Sequence, residues 1–358
     1  MKALIHGYFG FGNVGDEAIL ATVIRELKDK HLVPVVLSLN PERTTRLHNV
    51  DSCCERLLSL RFWRNFLESR MLIFAGGGRY GEATIRRMCM LTLLAKALVK
   101  RVEFRAIGVY PYEWNGLPII ASSPKPFNDL LTRALVRMAF GLADKASVRD
   151  DFSRRVLSLS GVTREIGLEE DLAFKLGPSG LETSLSILAE HGVNTQHKPL
   201  VGINLRTLHP SVRGNVVKVM ASFLDWLIES HNAEVLFVPF GYGSIRGRFF
   251  DDDLIIAEEL KRSMKQPSKL KVLEEEHRPQ DTLGIFRFFN LFIGMRFHSI
   301  IFSMMMKVPT IAIIYDTKTV EHLKGKERSC YFSIAINELT TDVLKDAAKN
   351  LLSHGKLC

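Results

Sequence analysis

An arginine and a histidine two places apart form the segment with the clearest potential for chemistry. Arg296 and His298 directly follow the apolar run 291–293, and the next apolar run leads to Asp316 and Lys318. In an extended chain, side chains two places apart point the same way. A lone histidine is usually structural, but beside an arginine at a strand end it is a candidate for proton transfer. We expect these residues to share one ligand-binding edge.

A glycine-rich loop near the amino terminus offers a second candidate site. Residues 6–18 follow a predicted strand and contain four glycines before Asp16. Glycine turns let a ligand approach the backbone, and amides that open a helix attract anions. The spacing imitates a dinucleotide fingerprint only loosely, because no acidic residue follows the second strand. For Asp16, helix capping and a catalytic or binding role remain equally open. The expected binding residues of this loop are Gly12, Asn13 and Gly15.

Three further strand ends carry candidates. A run of three glycines could present backbone amides to an anion or a sugar hydroxyl, with a simple turn as the alternative. Arg149 precedes Asp150, which we expect to cap a helix, and pairing of this arginine with a surface acid is locally the favoured alternative. Arg206 ends the first strand of the second half, where its guanidinium could bind a phosphate or a carboxylate. The three glycines are Gly76, Gly77 and Gly78.

The elements that position these residues alternate along the whole chain. Short apolar strands and helix-length amphipathic stretches follow one another, which is typical of parallel sheets with crossover helices. The chain has 358 residues, of which 46% are hydrophobic, so it is long enough for two domains with a cleft. The strands predicted in the first half are 3–5, 33–39, 71–75, 103–107 and 145–148. Those predicted in the second half are 200–205, 234–239, 270–273, 291–293 and 310–314.

The sequence from 177 to 199 is the best candidate for a connection between the domains. It contains Gly-Pro-Ser-Gly at 177–180, a short helical pattern at 181–190 and then polar residues. We therefore expect an N-terminal domain over 1–178 and a C-terminal domain over 199–336. A last segment, 337–358, contains a helical pattern.

Charge and cysteine content narrow the classes of partner. The formal net charge of +9 favours an anionic partner. Nucleic acid is the weakest choice, because there is no arginine-rich arm, zinc-finger spacing or RNA-binding consensus. Five cysteines without a C-x-x-C pair indicate a reduced, cytoplasmic protein without a cysteine metal site. We see no signal peptide, and the longest apolar segment, 88–99, is too short to span a bilayer. Peripheral contact with the inner face of an acidic membrane remains open.

The ordered motifs resemble those of the polysaccharide pyruvyl transferase family. Residues 7–20, GYFGFGNVGDEAIL, are similar to the amino-terminal signature of that family. The three-glycine turn, Ser-Val-Arg-Asp at 147–150 and Gly-Met-Arg-x-His at 294–298 are similar as well, as are the Val-Pro and Tyr-Asp-x-Lys that follow. The ordered set spans nearly the whole chain and is far more specific than any single motif.

The resemblance implies an α/β fold with two Rossmann-like domains facing across a cleft, of the glycosyltransferase-B type, in which the last helix could cross back onto the first domain. It implies pyruvyl ketal formation on a sugar of a cell-surface polysaccharide or its lipid-linked precursor, with phosphoenolpyruvate as co-substrate and no metal or other cofactor. Together with the patterns above, it predicts catalytic residues His298, Asp16 and Arg296. The predicted donor-binding residues are Arg149, Arg206 and Lys318, and the glycine loops with Asn13 line the acceptor or donor site.

Two departures and two alternatives accompany this prediction. Residues 106–111 stand where relatives commonly have Gly-Gln-Gly-x-Gly-Pro, and residues 79–82 differ after the three glycines, so the acceptor could be unusual. A nucleotide-sugar-dependent glycosyltransferase would use the same architecture and a basic cleft. A binding protein without turnover is the third reading, against which the retention of all the basic motif residues argues.

Overall fold

The structure of the chain is a computed structural model that consists of two compact units. It describes residues 1–56, 59–77, 81–112, 115–195, 199–243, 252–324 and 331–353. Unit 1 consists of Met1–Phe11, Asp16–Trp114 and Ala121–Leu176. Unit 2 consists of Gly12–Gly15, Asn115–Ile120 and Gly177–Cys358. Two short segments of the first half of the chain therefore belong to unit 2.

A parallel sheet forms the centre of unit 1. Its strands are β1 (Lys2–His6), β2 (Val33–Leu37), β3 (Asp51–Cys53), β4 (Ser69–Ala75), β5 (Arg101–Ile107), β6 (Lys145–Val148) and β7 (Gly167–Leu168). They lie in the order β3-β2-β1-β4-β5-β6-β7, with every neighbouring pair parallel. The central strands are almost wholly apolar, as expected for strands covered by helices on both faces. The order reverses between β1 and β4, which makes that pair the switch point of the sheet.

The helices of this half follow the strands in alternation. They are α1 (Val14–Asp29), α2 (Pro41–His48), α3 (Leu60–Glu68), α4 (Glu82–Ala97), α5 (Leu130–Leu142) and α6 (Asp151–Leu159). One apolar cluster joins α3, α4, α5 and α6 to the sheet. A stack of rings runs through it, with 5.1 Å between the centroids of Phe74 and Phe104 and 4.4 Å between those of Phe104 and Phe140. Strands and helices are therefore packed by the same buried aromatic residues.

Unit 2 repeats this architecture. Its strands are β8 (Leu200–Asn204), β9 (Glu234–Phe237), β10 (Leu270–Val272), β11 (Leu291–Gly294), β12 (Thr310–Ile314) and β13 (Tyr331–Ala335), and they lie in the parallel order β10-β9-β8-β11-β12-β13. The switch point lies between β8 and β11. Its helices are α7 (Leu181–Glu190), α8 (Pro210–His231), α9 (Asp253–Ser263), α10 (Pro279–Ile285), α11 (Phe297–Met305), α12 (Thr317–Leu323) and α13 (Thr341–Ser353). Across the stretches that the structure describes, no helix has the length and apolar character needed to cross a membrane.

The predicted fold class is confirmed, since both sheets are parallel and have Rossmann-like strand order. All ten predicted strands are present, and three others, β3, β7 and β13, were missed. Each missed strand lies at an edge of its sheet. Both residues of β7 are exposed, as are the second and third residues of β13. Such strands lack the continuous apolar run by which the buried strands were recognised.

The last helix belongs to unit 2. α13 packs against α8 and lies beside β11 and β12. Leu344, Ala347 and Ala348 form its buried side. The ammonium groups of Lys345 and Lys349 lie 5.8 and 5.9 Å from the centroid of a tryptophan ring on α8. The expectation that residues 337–358 cross back onto the first domain is therefore wrong for the described part of the segment, because the apolar side of the helix is buried within unit 2.

Candidate active site

Basic side chains gather at the switch point of the unit 2 sheet. The carboxyl ends of the neighbouring strands β8 and β11 lead to Arg206 and Arg296, and β12 leads to Lys318. The guanidinium Nη1 of Arg206 donates to the hydroxyl of Tyr315, 3.1 Å away, directly after β12. The ammonium of Lys318 lies 5.6 Å from the ring centroid of Phe297, directly after Arg296. Cations that the sequence placed in three separate motifs therefore share one edge, where open α/β sheets bind ligands.

Arg296 is held by a carboxylate that sequence reasoning missed. Its Nε lies 2.9 and 2.8 Å from the two carboxylate oxygens of Asp253, and its Nη2 lies 2.7 Å from one of them. Arg296 is 5% exposed and Asp253 is 0% exposed, so the ion pair is buried. The side-chain oxygen of Asn204 accepts from the backbone N–H of Arg296 at 3.0 Å, and its amide nitrogen donates to Asp253 at 3.2 Å. This bidentate pair fixes the turn that precedes His298.

His298 lies in a helix rather than in an extended chain. Arg296 is the N-cap residue of α11 and has extended backbone angles, whereas His298 is the second residue of that helix. The sequence argument that both side chains point the same way in an extended chain is therefore wrong. His298 is 7% exposed, and the imidazole lies against Gly15, where an added Cβ would be only 1.9 Å from Nδ1. The glycine at position 15 is thus required by the close approach of the histidine ring.

Backbone hydrogen bonds attach the glycine-rich segment to unit 2. The N–H of Val14 donates to the carbonyl of Phe240 at 3.1 Å, and the N–H of Tyr242 donates to the carbonyl of Gly12 at 2.9 Å. The side chain of Asn13 accepts from the N–H of Gly15 at 3.0 Å, in the manner of an N-cap of α1. Of the three loop residues predicted to bind a ligand, Gly12 and Gly15 thus have structural roles, and Asn13 provides the cap.

Asp16 is not the cap of α1. It is the third residue of the helix and is 5% exposed. The next residue, Glu17, binds the glycine-rich loop of unit 1. Its Oε1 accepts from the N–H of Gly10 at 2.8 Å, and its Oε2 lies 2.7 Å from Nε2 of His48. Gly10 has φ +75°, which a glycine adopts without strain. Glu17 and His48 were missed because their pairing depends on residues 31 positions apart.

Arg149 is the centre of a buried cluster in unit 1. Its side chain is 3% exposed, and its nitrogens lie 3.2 Å from Asp171 and 3.6 Å from Asp150. Its guanidinium also lies 5.6 Å from the ring centroid of Tyr110, whose hydroxyl donates to Asp150. Asp150 caps α6 as predicted, accepting from the N–H of Ser153 at 2.7 Å. The locally favoured alternative, an arginine paired with a surface acid, holds for the pairing but not for the location, because the side chains of these acids are largely buried.

Burial and charge act in opposite directions on this cluster. Burial disfavours the charged form of Arg149, but the neighbouring carboxylates Asp171 and Asp150 favour it, and the pKa of the guanidinium is raised. Burial is also the largest cause that raises the pKa of Tyr110 well above its usual value. Arg149 is therefore a permanent cation and Tyr110 a permanent neutral donor. Gly108 makes room for both, since a Cβ there would lie 2.9 Å from the guanidinium and from the tyrosine ring.

The glycine run after β4 is partly used by the fold itself. Gly76 and Gly77 have φ values of +65° and +90°. The sequence suggested that the amide of Gly76 would be available to a ligand. Instead, its N–H donates to the carbonyl of Arg105. The carbonyl of Gly77 accepts from the N–H of Gly108 at 3.1 Å. Gly78 and the first two residues of the altered segment 79–82 lie outside the described residues.

The altered segment 106–111 contains a strained position. Ala106 has φ +47°, in the left-handed region that costs an alanine about 1–2 kcal/mol. It lies where the pairing of β5 with β6 shifts register between Phe104 and Ile107. Its N–H donates to the hydroxyl of Ser147 at 3.1 Å, which holds this bulge in place.

Within the described ranges of both units, no group of three or more His, Cys, Asp and Glu residues is placed to hold a metal ion. The predicted absence of a metal and of a cofactor stays a prediction.

A comparison with protein families finds one model that covers most of the chain. The model described as polysaccharide pyruvyl transferase matches residues 13–317. These limits include the loop segment from Asn13, the cluster around Arg149, and Arg206, Arg296 and His298 of unit 2, and they end one residue before Lys318. The match confirms the resemblance deduced from the ordered motifs.

Solved structures with related folds include an epimerase and a glycosyltransferase. The UDP-GlcNAc 2-epimerase of Methanocaldococcus jannaschii is 12% identical, with a TM-score of 0.59 over 98% of this chain and 93% of the other. Anabaena Alr3699/HepE, solved in complex with UDP and glucose, is 12% identical, with a TM-score of 0.55 over 99% and 94% of the two chains. A glycosyltransferase from Rickettsia africae ESF-5 is 12% identical, with a TM-score of 0.52 over 99% and 92%. The two α/β units therefore belong to the glycosyltransferase-B and epimerase fold class.

Proposed function

The chain belongs to the polysaccharide pyruvyl transferase family, and on this premise we propose that phosphoenolpyruvate is its donor. The acceptor in this proposal is a sugar of a cell-surface polysaccharide or of its lipid-linked precursor. The products are a pyruvate ketal on that sugar and inorganic phosphate. The proposal places the protein in the cytoplasm, where the donor is made, with no metal and no further cofactor.

The observation that carries the proposal is the set of cations at the switch point of the unit 2 sheet. Phosphoenolpyruvate carries a phosphate and a carboxylate on adjacent carbons, so its site needs at least two fixed positive groups. Arg206 and Lys318 lie at the ends of β8 and β12, each beside an aromatic ring, with the buried Arg296 between these strands at the end of β11. Charges held in place by a folded edge stabilise the carboxylate and the departing phosphate without reorganisation.

The reaction is balanced without any oxidant or reductant. A sugar hydroxyl adds to C2 of phosphoenolpyruvate while a proton is added to C3, which gives a tetrahedral phosphate ester. The C2–O bond to phosphate then breaks, and C2 takes on oxocarbenium character. A neighbouring hydroxyl of the same sugar attacks C2 and loses its proton, which closes the ketal. Two hydroxyl protons leave the sugar, one proton is gained at C3, and the other leaves with phosphate.

His298 is the proposed general acid or base of these proton transfers. Its ring lies at the start of α11, directly after the turn fixed by Arg296 and Asp253. Because both oxygens of Asp253 bind the fork of Arg296, we assign Arg296 mainly to holding this turn, and the donor anions to Arg206 and Lys318. Asp16 and Arg149 remain candidates from the sequence for catalysis and donor binding.

The experiment that tests the proposal follows donor and product together. Purified protein is incubated with phosphoenolpyruvate and a panel of nucleotide- and lipid-linked sugars, and released phosphate is measured alongside product mass. We expect phosphate release that depends on the acceptor, with a mass gain equal to pyruvate minus water. An Arg206→Ala variant should raise the KM for phosphoenolpyruvate more than the KM for the sugar. Transfer of a hexose from a nucleotide sugar would instead establish the glycosyltransferase alternative, and folded protein without any turnover would favour the binding-protein alternative.

A further inference from the structure

Two neighbouring helices of unit 1 expose apolar side chains on the side that faces away from the core. On α4, Met90 is 55% exposed and Leu98, directly after the helix, is 43% exposed. On α5, Leu131 is 59% exposed, and Met138 and Leu142 are each 50% exposed. We call these five residues the α4–α5 face. Their spacing of seven, eight and four residues follows one stripe of each helix.

The two helices lie side by side, with their starts and their ends matched. At the start, Arg86 of α4 lies 3.8 Å from Asp129, the N-cap residue of α5. At the end, Lys96 of α4 lies 2.9 Å from Asp144, two residues after α5. These ion pairs set the register of the two helices, so the exposed stripes run next to each other. The face is therefore one continuous band and not a set of isolated side chains.

Both helices are also apolar on the opposite side. Met88 and Cys89 of α4 are 0% exposed, as are Val136, Ala139 and Phe140 of α5, and all belong to the core of unit 1. A helix that is apolar on nearly all sides is normally covered on all sides. Exposed apolar bands of this kind mark surfaces that contact a partner or a membrane.

The charge around the band favours an anionic partner. α4 and α5 together carry five Arg and Lys residues and a single acid, Glu82. Three of these cations are also paired with acids next to the helices, Asp129, Glu55 and Asp144. Residues 55–145 contain fifteen Lys and Arg against seven Asp and Glu, which is an excess of eight in a chain whose net charge is +9. The part of the sequence that contains both helices therefore has an excess of positive charge, although some of these cations, such as Arg105, are buried away from this surface. A second copy of the chain would bring like charges together, whereas an anionic lipid surface would neutralise them.

The turn after α4 adds a protruding apolar side chain. Val99 is 93% exposed and has φ +55°, a conformation that a β-branched residue rarely adopts. The next residue, Lys100, anchors the turn by donating to the backbone carbonyls of Leu67 and Ser69, at 3.1 and 2.5 Å. Leu67, at the end of α3, is itself 58% exposed. The band therefore ends in a rigid turn that presents valine and leucine side chains to the surroundings.

We propose that the α4–α5 face docks this protein on an anionic lipid bilayer. The apolar side chains enter the boundary between headgroups and acyl chains, and the surrounding arginines and lysines contact the lipid phosphates, as in amphipathic helices that lie on membranes. The interaction is peripheral and weakens with salt, because exposed charges are screened. It is independent of the chemistry at the switch point of unit 2, so vesicle binding and turnover can succeed or fail separately.

Helix α7 of unit 2 supplies a matched control. It exposes two leucines one turn apart, Leu181 at 53% and Leu185 at 37%. Its charged residues are acidic, Glu182 and Glu190, so this surface has apolar side chains without positive charge. Replacing both leucines by glutamate changes the net charge by as much as replacing Met90 and Met138 by glutamate. The two double variants therefore separate an effect of the face from an effect of total charge.

The experiment measures sedimentation of the full chain with vesicles. Vesicles of phosphatidylglycerol mixed with phosphatidylcholine are compared with phosphatidylcholine alone, at low and at high salt. We expect binding to the anionic vesicles only, with weaker binding at high salt. Met90→Glu/Met138→Glu should weaken binding by about tenfold or more, because two apolar side chains leave the interface and two negative charges enter it. Leu181→Glu/Leu185→Glu should bind about as well as the unaltered chain.

Three results would overturn the proposal. The first is absence of binding to anionic vesicles at low salt, and the second is equal loss of binding by both double variants. The third is a stable dimer, detected by light scattering, that the Met90→Glu/Met138→Glu change dissociates, since the face would then be covered by a second copy. Circular dichroism of each variant verifies that the exposed substitutions leave the fold intact.

Discussion

The two sheets share one strand order but place their cations at different points of it. In unit 2, Arg206 and Arg296 follow β8 and β11, the pair that forms the switch point. In unit 1, Arg149 follows β6, which is separated from the switch-point strand β4 by β5. The corresponding pair in unit 1, β1 and β4, is followed by glycine turns, in which Gly10 and Gly76 adopt positive φ values.

This difference shows that topology marks the binding edge, whereas residue type decides what the edge can do. In the turns of unit 1, the glycines have no side chains, so the backbone of the turn is accessible to neighbouring groups. The strand ends of unit 2 deliver fixed positive charge, of which Arg206 and Lys318 lie beside aromatic rings. We therefore expect substitutions of Arg206, His298 and Lys318 to affect chemistry, and substitutions in the buried ion pairs of Arg296 and Arg149 to affect stability first.

The largest expected effect is on turnover, at the histidine of unit 2. His298→Ala should lower kcat by about 100- to 10,000-fold, because a positioned general acid or base is lost. Gly15→Ala should also lower kcat, since its Cβ would overlap the imidazole. The rate of phosphate release measures both, and thermal unfolding serves as the control. A correctly folded His298→Ala protein with full transfer would remove this residue from the mechanism.

The next effect compares the two buried arginines. Asp253→Ala leaves Arg296 buried without its bidentate carboxylate and should cost about 3–5 kcal/mol in the free energy of unfolding. Asp171→Ala should cost less, because Arg149 keeps Asp150 at 3.6 Å. Urea unfolding monitored by fluorescence gives both values. Equal losses of unfolding free energy in the two variants would show that the second carboxylate near Arg149, Asp150, does not compensate for the loss of Asp171.

A smaller effect is expected from a single hydroxyl in unit 1. Tyr110→Phe removes the hydrogen bond to Asp150 while the ring remains near Arg149. Loss of a buried hydrogen bond to a charged group should cost about 1.5–3 kcal/mol, again measured by urea unfolding. Turnover of the folded variant should change little in comparison with His298→Ala. A loss of turnover without loss of stability would place Tyr110 in the chemistry instead.

The smallest effect is expected at the bulge in β5, where a substitution should increase stability instead of lowering it. Ala106→Gly relieves the left-handed strain of alanine but increases the entropy of the unfolded chain. The two contributions, about 1–2 and 0.5–1 kcal/mol, leave a net stabilisation of about 1 kcal/mol or less. The midpoint of thermal unfolding should rise by a few degrees at most, and a fall would show that Ala106 is not strained.

The inner strands of both sheets could be predicted from sequence, because each one is marked by an apolar run within its own residues. Strands buried on both faces appear in the sequence as continuous apolar runs, which makes them recognisable. All ten strands that were predicted in this way are present in the structure. Edge strands β3, β7 and β13 were missed, since they are short or partly exposed and owe their pairing to a neighbour. Helix caps could also be predicted where the partner is close in sequence. Asp150, which accepts from the N–H of Ser153, is an example.

The sequence by itself determined the fold class, the family and the basic and glycine-rich motifs of the site. The tertiary structure alone decided which partner holds each motif residue. Arg296 binds a carboxylate 43 positions away, Arg149 one that is 22 positions away, and the ring of His298 lies against a glycine near the amino terminus. These contacts cannot be predicted from spacing, because they depend on which strand ends the parallel sheets bring together.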